Sequence, residues 1–194
     1  QDDAQTLEEY RQAAEAGDVD AMNHLAYCYR RGEGVEQGFA QAAEWYRRAA
    51  DAGSDSAMLN LGVYYDLGRG VAQDSAQAVE WYRRAVAAGN EEAMMNLAYC
   101  YEMGRGVEQD DAQATEWYLK AAEAGNLAAK EKQEERARLS DEMYRYAEYL
   151  ENGRDIEQDY AQVLEWYKKA EAFDPGIATE AIARVEELLA EQAQ

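Results

Sequence analysis

Residues 93–125 read AMMNLAYCYEMGRGVEQDDAQATEWYLKAAEAG, and the landmarks of this stretch return on either side of it. Trp45, Trp81 and Trp117 stand 36 residues apart, as do Gly53, Gly89 and Gly125, and Leu25, Leu61 and Leu97. Trp166 follows Trp117 by 49 residues, one such period plus an insertion of 13. A period of 20–50 residues marks a chain of stacked supersecondary units, none of which can bury its apolar face alone. The 194 residues are therefore read as one solenoid, and the activity this implies is binding through a helical surface.

Each unit divides into two antiparallel helices, A and B. Asp18, Ser54, Asn90 and Asn126 recur beside a glycine turn, and each carries a side-chain oxygen able to accept from the free amides of a helix start. Within helix A, Met22, Leu25, Ala26 and Tyr29 lie on one stripe of a 3.6-residue helix. The stripe repeats as Met58, Leu61, Gly62, Tyr65 and as Met94, Leu97, Ala98, Tyr101, so it reads as core. The loops GEGVEQG, GRGVAQD, GRGVEQD and GRDIEQD follow, with Val35, Val71, Val107 or Ile156 tucked beneath. No strand precedes these loops and no lysine follows, so they are connectors rather than phosphate cradles.

Asp2, Asp74, Asp110 and Asp159 start helix B, with Gln5, Gln77, Gln113 and Gln162 three residues on as a variant capping box; Gly38 replaces the aspartate in the first full unit. Tryptophans at a fixed position beside alanines read as core rather than as exposed platforms for a ligand.

These boundaries give a half-repeat at 1–17 (a helix B), repeats at 18–53, 54–89 and 90–125, a helical insertion at 126–140, repeat 4 at 141–174 and a C-terminal capping helix at 175–194. The chain thus opens in the middle of a unit, which makes its first helix a cap or the continuation of repeats upstream. In the insertion, thirteen extra residues turn a continuous helix by a net rotation of roughly 220°. That predicts either an added helix broken near Leu139, with Ser140-Asp141-Glu142 as a fresh cap, or one long helix whose first half projects. Tyr146, Ala147 and Leu150 are expected core.

Forty acidic against nineteen basic residues give a net charge of −21, which disfavours nucleic acid and anionic membrane and favours a basic peptide or protein. No apolar run approaches the ~18 residues needed to span a bilayer, so the chain reads as soluble. Cys28 and Cys100 occupy one repeat position two units apart, too far for a disulfide, and are expected as free thiols. His24 is the only histidine. No nucleophile, acid–base pair or metal-ligand spacing assembles around it, so neither an enzyme nor a cofactor is expected.

With L-A/G-x-x-Y, G-x-G-V-x-Q-D and A-x-A-x-E-W-Y-x-x-A-A-x-x-G at a period of 36, the sequence resembles the Sel-1-like repeat (SLR) family, cousins of the tetratricopeptide repeats. The resemblance implies an all-α fold, a right-handed superhelical α-solenoid of antiparallel helix pairs, that serves as an adaptor or scaffold without catalysis. Cysteine-rich relatives staple A to B within a unit; one cysteine per unit cannot.

The resemblance also implies that helix A lines a concave groove. The positions beside its core stripe are Asn23, Leu59, Met95 and Tyr144 at one level and Tyr27, Val63, Tyr99 and Glu148 at the next. Arg30, Asp66, Glu102 and Glu151 form the third level, and Arg31, Leu67, Met103 and Asn152 the last. Leu59, Val63, Leu67, Met95, Tyr99 and Met103 make an apolar strip flanked by Asp66, Glu102, Glu148 and Glu151. Such a strip is expected to hold a peptide with apolar anchors and basic flanks. The competing expectation is that these residues pack between adjacent A helices. Asn23, Asn60 and Asn96 are candidates for bonding a partner's backbone. A structural or self-associating module, with its contacts on the insertion and the acidic outer face, is the alternative for the whole chain; the oligomeric state stays open.

Overall fold

A computed structural model describes residues 2–153 and 159–193, with side chains from Leu7 onward. Ten helices and no strand occur among the described residues. The chain is an all-α solenoid of helix pairs, divided into two units, Gln1–Gln109 and Asp110–Gln194.

Unit 1 holds α1 (Asp2–Glu15), α2 (Val19–Arg31), α3 (Phe39–Asp51), α4 (Asp55–Leu67), α5 (Ser75–Ala87) and α6 (Glu92–Met103). Three devices recur through it. The oxygens of Asp18, Ser54 and Asn90 accept from the amides of Ala21, Ala57 and Ala93, closing the starts of the A helices. Leu25, Leu61 and Leu97 are fully buried, with alanine or glycine beside them at 26, 62 and 98. Arg11, Arg47 and Arg83 each donate to the hydroxyl of the tyrosine eighteen residues on, Tyr29, Tyr65 and Tyr101, clipping each B helix to the next A helix.

The loop after helix A is held by its glutamine and its second glycine. Gln37 and Gln73 donate to the carbonyls of Arg30 and Asp66 in the last helical turn, which answers why the loop carries Gln. Gly70 and Gly106 sit at φ +67 and +72, and a Cβ on either would lie 2.2 or 2.1 Å from backbone atoms of Phe39 or Ser75. Each loop therefore rests on the start of the preceding B helix, an approach that only a residue without a side chain permits. Val35, Val71 and Val107 are half-buried beneath; Ile156 lies outside the described residues.

Helix B starts as expected at Asp74, Asp110 and Asp159, whose carboxylates accept from the amides of Gln77, Gln113 and Gln162. The capping box is not completed: Gln77 turns back to the Asp74 carboxylate and Gln113 to Glu116. Trp81 is buried, whereas Trp45, Trp117 and Trp166 are half-buried. Each of the four carries a cation three residues on over its ring, Arg48, Arg84, Lys120 or Lys169, at 4.0–4.6 Å from the ring centre. The outer face of each tryptophan is thus covered by an arginine or lysine stem.

Unit 2 holds α7 (Asp111–Glu123), α8 (Leu127–Asn152), α9 (Tyr160–Phe173) and α10 (Thr179–Gln192). The insertion and helix A of repeat 4 are one unbroken helix, α8, capped by Asn126. Two expectations are corrected here. Ser140 caps nothing: it is buried and donates to the carbonyl of Ala170. The first half of α8 does not project, because α7 packs along it and α9 along the second half.

Arg136, 1% exposed, sits where α7, α8 and α9 meet. It donates to the Thr115 hydroxyl through Nε (3.1 Å) and Nη2 (2.9 Å), and to the Asp111 carbonyl (2.9 Å). The Phe173 ring lies 4.0 Å from its guanidinium carbon. With its oxygen lone pairs turned to Arg136, the Thr115 hydroxyl is left to donate to Asp111 or Ala172 carbonyl oxygen, at 2.9 and 2.7 Å.

A third correction concerns Tyr146, which is 44% exposed although Leu97, its counterpart, is fully buried. Arg136 already faces Asp111, the first residue of α7. Tyr146 is ten residues further along α8, roughly 15 Å beyond that end at the helical rise, so α7 cannot cover it. Ala147 and Leu150 instead join Val163, Tyr167, Ala170 and Val185 in the core, with Ile177, Ile182 and Leu189 of the C-terminal segment packed on it.

Candidate functional site

Of the residues singled out beside the core stripe, twelve belong to unit 1. Leu59 is 8% exposed, so it is core and presents nothing to a partner. Val63 and Met95 are half-buried. Leu67, Tyr99 and Met103 are 47, 43 and 55% exposed, at or near the ends of α4 and α6. The apolar strip is thus divided by depth, and its accessible part lies at the C-terminal ends of the A helices.

The charges beside it are largely engaged. The Asp66 carboxylate is 2.9 Å from an Arg105 nitrogen, and Arg105 in turn lies over the Tyr99 ring. Asp66 therefore does not stand ready for a basic flank, because a desolvated ion pair loses little to a competing cation. Glu102 is half-buried. Asn23 donates to the Val19 carbonyl and to the Ser54 hydroxyl at 2.9 Å, which ties repeat 1 to the cap of α4; Asn60 donates to the Ser56 carbonyl.

In unit 2, Tyr144 is half-buried against Tyr167, their ring centres 5.2 Å apart, and Glu148 is exposed. Glu151 accepts two hydrogen bonds from Arg184, at 2.9 and 2.8 Å, and one from the Tyr167 hydroxyl. The bonds from Arg184 hold its carboxyl below the usual glutamate range against the opposing effect of burial.

A cleft of about 650 Å³ opens in unit 1 among α1, α2, α3 and α4. It takes in four of the anticipated residues, Asn23, Tyr27, Arg30 and Asn60, and adds Tyr10, His24 and Tyr46, which were not among the groove candidates. The Arg30 guanidinium lies 5.0 Å from the Tyr27 ring centre, and its Nε is buried without a hydrogen-bond partner. Burial raises the Tyr46 hydroxyl, and that of Tyr64 to about 12, with Arg30 pulling both the other way. A sign was present in the sequence: Arg30 is basic where the other three repeats carry Asp66, Glu102 and Glu151.

Both cysteines are free. Burial, reinforced by Asp66, pushes the Cys100 thiol up to about 11, so it is a protonated core group at neutral pH. His24 is exposed with its ring 4.5 Å from that of Tyr10. Among the described residues no group of three His, Cys, Asp or Glu is placed to hold a metal, and no helix is long and apolar enough to cross a membrane.

A family model described as the Sel1 repeat matches residues 19–54, 55–90, 91–126 and 143–172. In structure the chain is similar to c5321, described as a protective antigen present in uropathogenic Escherichia coli strains displaying an SLR fold. The identity is 35% over 86% of this chain and 33% of that one, with a TM-score of 0.63. It is also similar to a Sel1 repeat protein from Oxalobacter formigenes, at 26% identity over 92% of this chain and 66% of that one, TM-score 0.62. Helicobacter pylori cysteine rich protein B shares the fold at 20% identity over 63% of this chain and 93% of that one, TM-score 0.51. The chain spans a third of the length of the Escherichia coli protein. No curated protein matches it.

Proposed function

Because the chain belongs to the Sel1 repeat family, whose members are in general protein–protein interaction scaffolds and typically not enzymes, we propose that unit 1 binds a peptide segment along its A helices. The observation that carries this reading is the exposure of Leu67, Tyr99 and Met103 near the ends of neighbouring A helices. Leu67 and Met103 hold the same repeat position with Tyr99 one turn before Met103, and large apolar side chains grouped in this way are the anchors an interface uses, whereas scattered ones are ordinary surface. The anchors of the partner are apolar. Its basic character rests on the net charge of −21, which draws a cationic segment at long range, since Asp66 is already paired.

Selection of displayed peptides on the immobilised chain tests the reading. The parent should enrich peptides with spaced apolar residues, and a Leu67→Glu, Tyr99→Glu, Met103→Glu variant with an unchanged circular dichroism spectrum should not. Equal enrichment by both would remove the groove from consideration.

A specific observation also favours the alternative, a self-associating module. In unit 2, Tyr146 packs edge-on to Trp166 at 5.0 Å and stacks with Tyr149. Leu139 and Leu127, on the inserted half of α8, are 39 and 73% exposed. Light scattering discriminates: a mass that rises with concentration and falls in Leu127→Glu, Tyr146→Glu supports self-association, and a constant monomer mass counts against it.

A further inference from the structure

Arg30 is the one cation on the wall of the cleft in unit 1, and no carboxylate among the described residues lies within ion-pairing distance of it. Its neighbour shows what is usual here: Arg31 pairs with Glu33 at 3.6 Å and donates to the Tyr27 hydroxyl. Among the other half-buried arginines of unit 1, Arg11, Arg84 and Arg105 pair with acids and Arg47 donates to the Tyr65 hydroxyl, whereas Arg30 does neither. Its Nε is buried without a hydrogen-bond partner, and a partly desolvated guanidinium with no acid beside it gains when an anion meets its outer nitrogens.

We propose that this cleft is a subsite for a peptide carboxylate. The inference rests on the reading of unit 1 as a peptide-binding surface and adds what one end of the ligand must carry. A single arginine fork matches a planar monoanion bidentately. A phosphate dianion would need further cations, and the wall offers only Arg30, with Glu33 opposing more negative charge.

The remaining lining suits a peptide rather than a free anion. Asn23 and Asn60 spend their NH2 groups on Val19, Ser54 and Ser56, which leaves their carbonyl oxygens on the cleft wall to accept backbone N–H. Leu7, Tyr10, Tyr27 and Tyr46 supply an apolar wall for the residue that bears or precedes the carboxylate. The volume, about 650 Å³, is in the range of sites that enclose several residues' worth of small-molecule surface.

The test follows the Arg30 side-chain Nε–H resonance by NMR, assigned through its loss in Arg30→Lys. Three probes are titrated: acetyl-Ala-Ala-Leu with a free C-terminus, the same peptide as its amide, and acetyl-Ala-Glu-Leu-amide. The free acid or the glutamyl peptide should shift the resonance and saturate at a concentration about tenfold below that of the amide. Which of the two does so identifies the carboxylate as terminal or side-chain.

Arg30→Gln, with its fold checked by circular dichroism, should abolish the difference between acid and amide as followed on the backbone amide signals of α2. Arg30→Lys should keep the preference but weaken it. Equal response to acid and amide, no response to any probe, or a response to inorganic phosphate as strong as to the acid would each overturn the proposal. The Leu67→Glu, Tyr99→Glu, Met103→Glu variant should titrate as the parent does. Peptide selection by that variant equal to the parent's would therefore sink the groove reading without touching the carboxylate site, and loss of the acid preference would sink the carboxylate site without touching the groove.

Discussion

Units 1 and 2 are built from the same repeat but are held together differently. Unit 1 uses small contacts many times over: a cap at each A helix, an arginine–tyrosine clip every 36 residues, and a glycine seated on the previous helix. Unit 2 has no arginine–tyrosine clip: the place of Arg11, Arg47 and Arg83 is taken in α7 by Leu119, which is 40% exposed, and in α9 by Lys168, which pairs with Glu186 at 2.8 Å. In their stead it has one buried arginine that joins three helices. Where repetition is interrupted, the same stabilisation must come from a single unrepeated solution, and that solution becomes the point of weakness.

The largest expected effect therefore lies at Arg136. Arg136→Ala removes the donors to Thr115 and Asp111 and the packing on Phe173, at a cost of about 4 kcal/mol. Because these partners lie on α7 and α9, the loss should fall on unit 2. Hydrogen exchange should accelerate in α7, α8 and α9 while α3 and α5 keep their protection. Arg136→Met combined with Thr115→Val should recover most of the stability, since removing both halves of a buried polar pair is far milder than removing one. Uniform loss across both units would contradict the comparison.

That hub was not legible beforehand, and the reason is physical. The period of 36 revealed the helix pairs, the caps and the buried leucines, because each rests on a local rule or a face repeated in register. A net rotation of roughly 220° turns the two halves of a continuous insertion to opposite faces. The rotation does not say that two different helices take the two faces, which is what leaves α8 unbroken and places Ser140 and Arg136 inside. One trace was available: Thr115 puts a hydroxyl where repeats 1 and 2 have Ala43 and Val79, just before the insertion. Among the candidate groove residues, order along the helix was legible but depth was not, since Leu59 and Leu67 look alike in sequence and differ only in what lies over them.

The repeated side of the comparison is tested next, at intermediate size. Gly70→Ala combines a positive φ with a Cβ driven into the Phe39 backbone, and should cost about 3 kcal/mol. Gly53→Ala, at φ +97 with open space around it, should cost only about 1–2 kcal/mol. Urea denaturation of the two variants reads the difference directly. Equal losses would mean that backbone conformation alone, and not the seating of one loop on the preceding helix, holds repeat 2 against repeat 1.

The smallest effect is a gain, and it asks whether unit 1 can be made more regular than it is. Gly38 starts α3 without a side-chain hydrogen bond, at φ −148 and ψ 101. Asp74 and Asp110 start the equivalent helices at φ −151 and −150, with nearly the same ψ, and each accepts from an amide three residues on. The backbone of Gly38 is therefore already that of a capping aspartate. A Cβ there would meet the Oε1 of Gln41 at 2.2 Å, but that atom is the end of a flexible side chain, and Gln77 indicates where it can go, back onto the Asp74 carboxylate. Gly38→Asp should then stabilise unit 1 by a few tenths of a kcal/mol, through the cap and through the negative charge at a helix N-terminus. A loss of stability instead would mean that Gln41 has no alternative seat, so that the first repeat departs from its copies by constraint rather than by drift.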